Sequence, residues 1–385
     1  MPVTMVRLGH MPNCSSLGNV LNVLVLTQAA AAVLWVAAER WEARRRRPEP
    51  GGGETRAIDH PAGIVQIDTV GPPAGPTEAH VQITRACSLP CPSCHIEPTV
   101  DGVHVPVETV EARLAQLATD GVLHVALGGG EPTRHPALPR IAATARRLGL
   151  SVGLTTAGVA VDPAVLGGFD QVNVSLDGLG EVYRTARGYA GAPAALETIS
   201  RLAAQGTRVG VNIVLDRQTW AHLDETVAAA VSAGAQDIQL LRLKPVGRAQ
   251  ADYLDRRLTP AEGRAFWSRV SALITRWPAV TFRADCALVP FLASAGVDPT
   301  RMRDFGILGC HGGDWLASVG VDGTRAACSF VPETPSTAWR VGVQHGACAT
   351  CAWQPTCRGG CHAVARHLTG ELFQPDPECP RVLDA

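Results

Sequence analysis

Lysine is nearly absent from this sequence. Lys244 is the only one, and arginine supplies the rest of the 34 basic residues. That bias is read as genomic, since either residue serves on most solvated surfaces. Net charge is lacking too: 34 basic residues stand against 35 acidic ones, a formal charge of −1. Nothing at the whole-chain level therefore points to nucleic acid as a partner. A third shortage is regional. Beyond about residue 285, periodic apolar residues give way to short segments rich in Gly and Pro. Such a segment is not expected to fold on a hydrophobic core alone.

Cysteine, by contrast, is plentiful, with twelve in 385 residues. Eight of them fall in the irregular tail. Cys-x2-Cys and Cys-x3-Cys spacings make poor disulfide frameworks and good ligand loops, which favours metal ligation. Hydrophobic residues make up 46 % and charged residues 18 % of a chain long enough for one large domain and a smaller one.

From about residue 79 the pattern becomes regular. Apolar strands at 79–87, 122–130, 150–158, 171–178, 208–215 and 236–247 alternate with amphipathic helices at 107–121, 136–149, 192–206 and 223–235. Strands of this kind imply a parallel sheet covered on both faces. Six of them predict an open, partial (β/α)6 barrel of the TIM type, with chemistry at the C-terminal strand ends. Cys87, Gly128 to Glu131, Thr156, Ser175 to Asp177 and Lys244 all fall at such ends. One more amphipathic helix is expected at 259–277. The expected division is an N-terminal apolar helix and linker (1–53), the barrel (54–284) and a metal-stapled cysteine-rich domain (285–385).

Four constellations carry chemistry. Cys87, Cys91 and Cys94 lie in one loop, "CSLPCPSC". Three thiols are one short of a closed tetrahedral zinc site, and thiolates are also the ligands of iron–sulfur clusters. "LGGGEP" (127–132) ends the second strand, where glycines let a ligand approach the backbone closely. "VSLDG" and "YRTARG" (174–178 and 183–188) offer Ser175 for a hydroxyl and Arg187 for a carboxylate. An Asp-Gly turn with a surface arginine is the plain alternative. The tail reads Cys310-x12-Gly323-x4-Cys328, then Cys348-x2-Cys351-x5-Cys357-x3-Cys361, then Cys379. A zinc ribbon built from these thiols is the alternative there.

The three-cysteine loop resembles that of the radical S-adenosylmethionine (radical SAM) family. The resemblance implies a [4Fe–4S] cluster on Cys87, Cys91 and Cys94, with its fourth iron left for the amino and carboxylate groups of S-adenosylmethionine. Ser93 stands where the family often has an aromatic residue near the adenine. Gly129, Gly130, Glu131 and Pro132 match the family's Gly-Gly-Glu-Pro motif, which implies contact with the methionine amino group. Ser175, Asp177 and Arg187 are the matching candidates for the ribose and the carboxylate. "TTAG" (155–158) departs from the family's Thr-Asn-Gly. The tail resembles the SPASM extension, which implies two auxiliary [4Fe–4S] clusters. One takes Cys310, Cys328 and Cys361, and the other takes Cys348, Cys351, Cys357 and Cys379. Cys286 is either a fourth ligand of the first or a small core residue, and Cys14 has no assignment.

The family chemistry is reductive cleavage of S-adenosylmethionine to a 5′-deoxyadenosyl radical, which abstracts hydrogen from a substrate. SPASM-type members most often modify peptides or proteins, so a ribosomally made peptide is the expected substrate. Oxidation or decarboxylation of a small molecule such as a tetrapyrrole or amino sugar is the alternative. A non-enzymatic zinc module would leave the open three-cysteine loop without a purpose. Implied partners are a one-electron donor of flavodoxin or ferredoxin type and a separate leader-recognition protein, since the first seventy residues leave little room for a leader-binding domain. His311, Asp314 and His362 are the candidates for a catalytic base, and Lys244 either lines the substrate cavity or is a surface lysine.

At the N-terminus, the uncharged stretch 20–38 is followed by arginines at 44–47. Its length is near the ~20 residues that cross a bilayer, and the arginines would hold the far side in the cytoplasm. A cleaved signal peptide fits poorly with an oxygen-sensitive cluster protein. The expectation is a cytoplasmic protein, with membrane attachment through residues 17–38 set against a plain soluble helix.

Overall fold

Nine strands make the main sheet of the computed structural model, in the order β10-β9-β8-β7-β6-β5-β4-β11-β12. The structure describes residues 3–7, 54–60, 63–70, 75–304, 307–335, 339 and 342–385. Three strands stand apart: β1 (Val3–Arg7), β2 (Glu54–His60) and β3 (Gly63–Val70) form a small antiparallel sheet. The barrel thus begins not at residue 54 but with β4 (Glu78–Thr84). Residues 54–70 pair with each other and with Val3–Arg7, and none of the three strands joins the main sheet. Stretch 17–38, with its membrane reading, lies outside the described residues. Among those residues, no helix is long and apolar enough to cross a membrane.

The six predicted strands are all present. After β4 come β5 (His124–Gly129), β6 (Ser151–Thr156), β7 (Gln171–Ser175), β8 (Val209–Leu215) and β9 (Asp237–Arg242). All pair in parallel. Both faces of these strands are covered: on β8, Val209, Val211, Ile213 and Leu215 share one face and Gly210 and Asn212 the other, and all are buried. Helices Val107–Thr119, Leu138–Arg147, Ala192–Ala204, Leu223–Ser232 and Pro260–Arg276 follow the expected positions. The last starts on a reciprocal cap: Thr259 accepts from the Glu262 N–H, and Glu262 accepts from the Thr259 N–H.

Three strands extend the sheet beyond the six. β10 (Thr281–Ala284) adds in parallel beside β9. At the opposite edge the cysteine-rich region contributes β11 (Leu316–Val319), parallel to β4, and β12 (Arg325–Ala326), antiparallel to β11. The C-terminal region is therefore built onto the barrel sheet.

It has a core of its own as well. Trp339, Val331, Ala363 and Val364 pack with Leu243, Ala249 and Tyr253 of the barrel side. Beneath this lies a buried ionic knot. Arg242, at the end of β9, reaches Asp376 at 2.6 and 3.0 Å and Glu378 at 2.8 Å. Glu378 also accepts from Tyr253 (2.8 Å) and Arg257 (2.9 Å). Asp376 accepts from the Cys361 N–H at 2.9 Å.

Candidate functional site

The loop after β4 is held open by its neighbours. Arg85 and Cys87 donate backbone bonds to Val103 and Thr99, both at 2.8 Å. Arg248 donates to the carbonyls of Cys91 and Pro98, each at 3.1 Å, and its own N–H donates to the Cys94 carbonyl. Cys87, Cys91 and Cys94 consequently line one side of a cavity of about 400 Å³. The thiols are free. Burial, and next to it the neighbouring thiols and acidic groups, push Cys87 and Cys91 upward against the pull of Leu89 N–H and Arg187 respectively.

Gly129 and Gly130 belong to the same rim. A Cβ on Gly130 would sit 2.4 Å from the Ala86 carbonyl oxygen, and one on Gly129 2.2 Å from that of Thr84. These glycines let β5 close onto the strand that leads into the cysteine loop. Gly130→Ala is therefore expected to push that loop out of place and to lower iron content by the share of one cluster. Iron counting on the reconstituted variant checks this, and full retention would refute it.

Glu131 turns its carboxylate inward to the protein. It accepts from the Thr133 hydroxyl and the Thr156 hydroxyl at 2.7 Å each, and from the Ala157 N–H at 2.8 Å. Its side chain ties the end of β5 to the end of β6, and Glu131 also lines the cavity. The sequence placed Thr156 at a strand end without naming this task.

Ser175 and Asp177 follow β7 into the cavity. Asp177 is buried, accepting from the Val214 N–H at 2.6 Å and from Arg187 Nη1 at 3.1 Å. Burial raises its pKa, with Arg187 opposing. Arg187 is itself mostly buried, and the Asp177 carboxylate keeps it charged against the cost of burial. Its Nε–H has no partner and its side chain lines the cavity, which leaves donor capacity for an anion. Asn212, on β8, also lines the cavity with a buried, unpartnered Oδ1, a polar group that no motif marked.

The opposite wall comes from the C-terminal region. Cys310, Cys328 and Cys361 line the same cavity, together with Cys286. Burial pushes Cys310 up to about 11 and Cys328 up to about 12. Lys244 is not a surface lysine: it is buried, ion-paired with Asp285 and placed 4.4 Å from the Phe330 ring centroid. His311 and His362 line the cavity, and burial lowers each to about 4. His362 has no partner on either ring nitrogen and sits between Trp339 and Phe373, with ring centroids 5.3 and 5.2 Å away. Asp314 does not line the cavity. It is half-exposed and bonded to Arg358, which removes it from the candidates for a base.

Cys348, Cys351, Cys357 and Cys379 gather around a second, small cavity with Asp376 and Arg381. The two groups of tail cysteines that the family resemblance implies thus line separate cavities. Among the described residues, no three His, Cys, Asp or Glu side chains crowd tightly enough to hold a single metal ion; the thiols line cavities instead.

The model of the Radical SAM superfamily matches residues 81–230. The chain carries a radical SAM domain. It spans β4 to the helix after β8 and contains the three-cysteine loop, the glycine rim and Arg187. S-adenosylmethionine and a [4Fe–4S] cluster are the cofactors such a domain implies, and the free thiols and the unpartnered Arg187 donor suit them. Two similar proteins extend over most of this chain. The PqqA peptide cyclase of Ruegeria pomeroyi is 25 % identical over 366 residues, covering 86 % of this chain and 91 % of that one. The mycofactocin maturase MftC of Mycobacterium tuberculosis is 29 % identical over 333 residues, covering 77 % and 81 %. In fold, the chain resembles Streptococcus suis SuiB bound to its precursor peptide SuiA, with a TM-score of 0.65 at 18 % identity over 79 % of this chain and 76 % of that one.

Proposed function

We propose that this radical SAM enzyme modifies a ribosomally made peptide, using two auxiliary [4Fe–4S] clusters in its C-terminal region. One observation carries the reading. The barrel thiols and the thiols of Cys310, Cys328 and Cys361 line a single cavity, so a side chain placed there lies between both sets. The name of the PqqA peptide cyclase supports the substrate class. When bound, the cluster and S-adenosylmethionine supply a 5′-deoxyadenosyl radical that takes a hydrogen atom from an unreactive carbon.

The protein's part is to hold and to exclude. Cys87, Cys91 and Cys94 ligate the barrel cluster. Arg187 donates to the carboxylate of S-adenosylmethionine, the Gly129–Gly130 backbone meets its amino group, and Ser175 meets the ribose. Asp177 keeps Arg187 charged and aimed. Cys348, Cys351, Cys357 and Cys379 hold the outer auxiliary cluster. An external donor of flavodoxin or ferredoxin type delivers the electron, and a separate protein recognises the leader. The reducing cytoplasm is the fitting compartment, with any membrane attachment assigned to residues 17–38.

Arg187→Ala is expected to weaken S-adenosylmethionine binding about ten- to a hundredfold, the loss of one charge-assisted contact at ~1.5–3 kcal/mol. Titration of the reconstituted protein reads it, and unchanged affinity would move the carboxylate's partner elsewhere. The function is tested by anaerobic reconstitution, reduction, and incubation with S-adenosylmethionine and short peptides encoded beside the gene. Expected are about twelve iron and twelve sulfide per chain, 5′-deoxyadenosine, and a peptide that has lost hydrogen or carbon dioxide. A colourless zinc protein, or no 5′-deoxyadenosine, would overturn the reading.

A further inference from the structure

A peptide that loses two hydrogens gives up one as an atom and the other as a proton and an electron. The electron needs an oxidant, and the proton needs a base within reach of the cavity. Two residues that no motif marks, Glu78 and His80, supply one. Both stand on β4, two positions apart, so their side chains share a face, and both line the cavity.

Glu78 is 3 % exposed. The N–H groups of Thr77 and Glu78 donate to the Trp315 carbonyl at 3.0 Å, which fixes the start of the strand. Glu78 Oε1 has no hydrogen-bond partner, and among the described residues the carboxylate has one ion-pair partner, His80 Nε2 at 3.4 Å. Burial raises the Glu78 pKa, but the contacts with His80, His124 and His311 lower it by more, so it stays ionised. A carboxylate only accepts, so Nε2 is the ring atom that carries hydrogen, and Nδ1 keeps its lone pair.

That lone pair meets a hydroxyl from the C-terminal region. Across the sheet, His80 lies opposite Ser318 of β11, and Ser318 opposite Ala326 of β12. The chain then passes Cys328, in a turn closed by the Val331 N–H on the Cys328 carbonyl at 3.1 Å. Within that turn Ser329 lines the cavity, and its Oγ sits 2.9 Å from His80 Nδ1. Ser329, His80 and Glu78 thus run from the cavity to a buried anion, and a proton placed on His80 is held by that anion. The other titratable groups around the pair are His95 from the cysteine loop, His124 on β5, His311 ahead of β11 and Arg283 on β10.

We propose that His80, reached through the Ser329 hydroxyl and held by Glu78, takes up the proton that the substrate loses when it is oxidised. This rests on the peptide-modifying reading and on the cluster assigned to Cys310, Cys328 and Cys361. One substrate C–H bond breaks as its hydrogen atom goes to the 5′-deoxyadenosyl radical. The carbon radical left behind bonds to a neighbouring N, O or C atom of the peptide, whose bond to hydrogen breaks. One electron passes to that iron–sulfur cluster in its oxidised state. One proton passes to Ser329 Oγ while the Ser329 hydroxyl proton moves to His80 Nδ1. Because Ser329 directly follows Cys328, electron and proton leave on the same side of the cavity, and the uptake of each favours the other.

The test uses the full-length reconstituted holoenzyme. In redox titrations without peptide, read by electron paramagnetic resonance, the reduction potential of one cluster should fall as pH rises in the parent and be independent of pH in His80→Gln. A flat potential in the parent, or an unchanged slope in the variant, overturns the proposal. Where His80→Gln fails to assemble, Glu78→Gln should move the sloping range to lower pH, since the anion that favours a protonated His80 is gone; an unmoved range overturns it. With a short peptide encoded beside the gene, Ser329→Ala should lower the peptide product formed per 5′-deoxyadenosine by about a hundredfold. Equal yields per 5′-deoxyadenosine in parent and variant overturn the relay alone. A parent product that has lost carbon dioxide in place of two hydrogens also overturns it, because that route sheds no such proton. No 5′-deoxyadenosine from the parent overturns the radical reading and the relay with it.

Discussion

Arg242→Ala is expected to free the C-terminal region from the barrel. The guanidinium is almost wholly buried and answers two carboxylates, Asp376 and Glu378, that are buried as well. Removing it leaves both in a low-dielectric site with only Tyr253, Arg257 and backbone donors around them. Breaking a buried pair in this way costs ~3–5 kcal/mol. Asp376 also holds the Cys361 N–H and lines the cavity of the outer cysteines, so the loss falls on both auxiliary sites at once. The variant should lose most auxiliary iron and become protease-sensitive after β10, while the barrel stays folded and still binds S-adenosylmethionine. Arg242→Lys should recover only part of this, because an ammonium cannot replace a fork that serves two carboxylates. Limited proteolysis with iron counting decides it. A variant as resistant as the parent, with full iron, would show that the knot does not hold the region in place.

Cys91→Ala should abolish formation of 5′-deoxyadenosine while about two thirds of the iron remains. The barrel loop supplies only three thiols to its side of the cavity, so losing one leaves two where a cluster needs three from the protein. The outer cysteines surround a different cavity. Chromatographic assay of the cleavage product measures the effect. Product at the parent rate would remove Cys91 from the cluster.

The barrel was legible because each of its six central strands is an apolar run bounded by turn residues, a signal contained within ten positions. β10, with only four residues, and β11 and β12, set in an irregular tail, carry no such signal. β10 and β11 owe their strand character to pairing with segments distant in the chain, and β12 owes its own to a hairpin with β11. The same distinction separates the site residues. Spacing marked the cysteine loop, while the glycine rim and the two tail groups came from the family resemblance. The sequence could not tell that the Glu131 carboxylate is bonded to Thr156 and Ala157, that Arg248 pins the cysteine loop, or that Lys244 is buried against Asp285, since these bonds join segments far apart in the chain. The tail's shortage of periodic apolar residues suggested metal as the main staple. The ionic knot and the Trp339 cluster were hidden because their barrel partners lie far upstream.

Because β11 continues the barrel sheet, Leu316 to Val319 lie in register with Glu78 to Val81. Cys310 precedes this strand, Cys328 follows its hairpin, and the cysteine loop follows β4. A hydrogen-bonded ladder thus acts as a ruler between the two thiol sets. Sliding it by one residue would move one set relative to the other by about 3.3 Å and turn every side chain of the strand to the opposite face. The spacing between the redox positions is consequently quantised by the sheet, and insertions in the connecting loops can lengthen the chain without altering it.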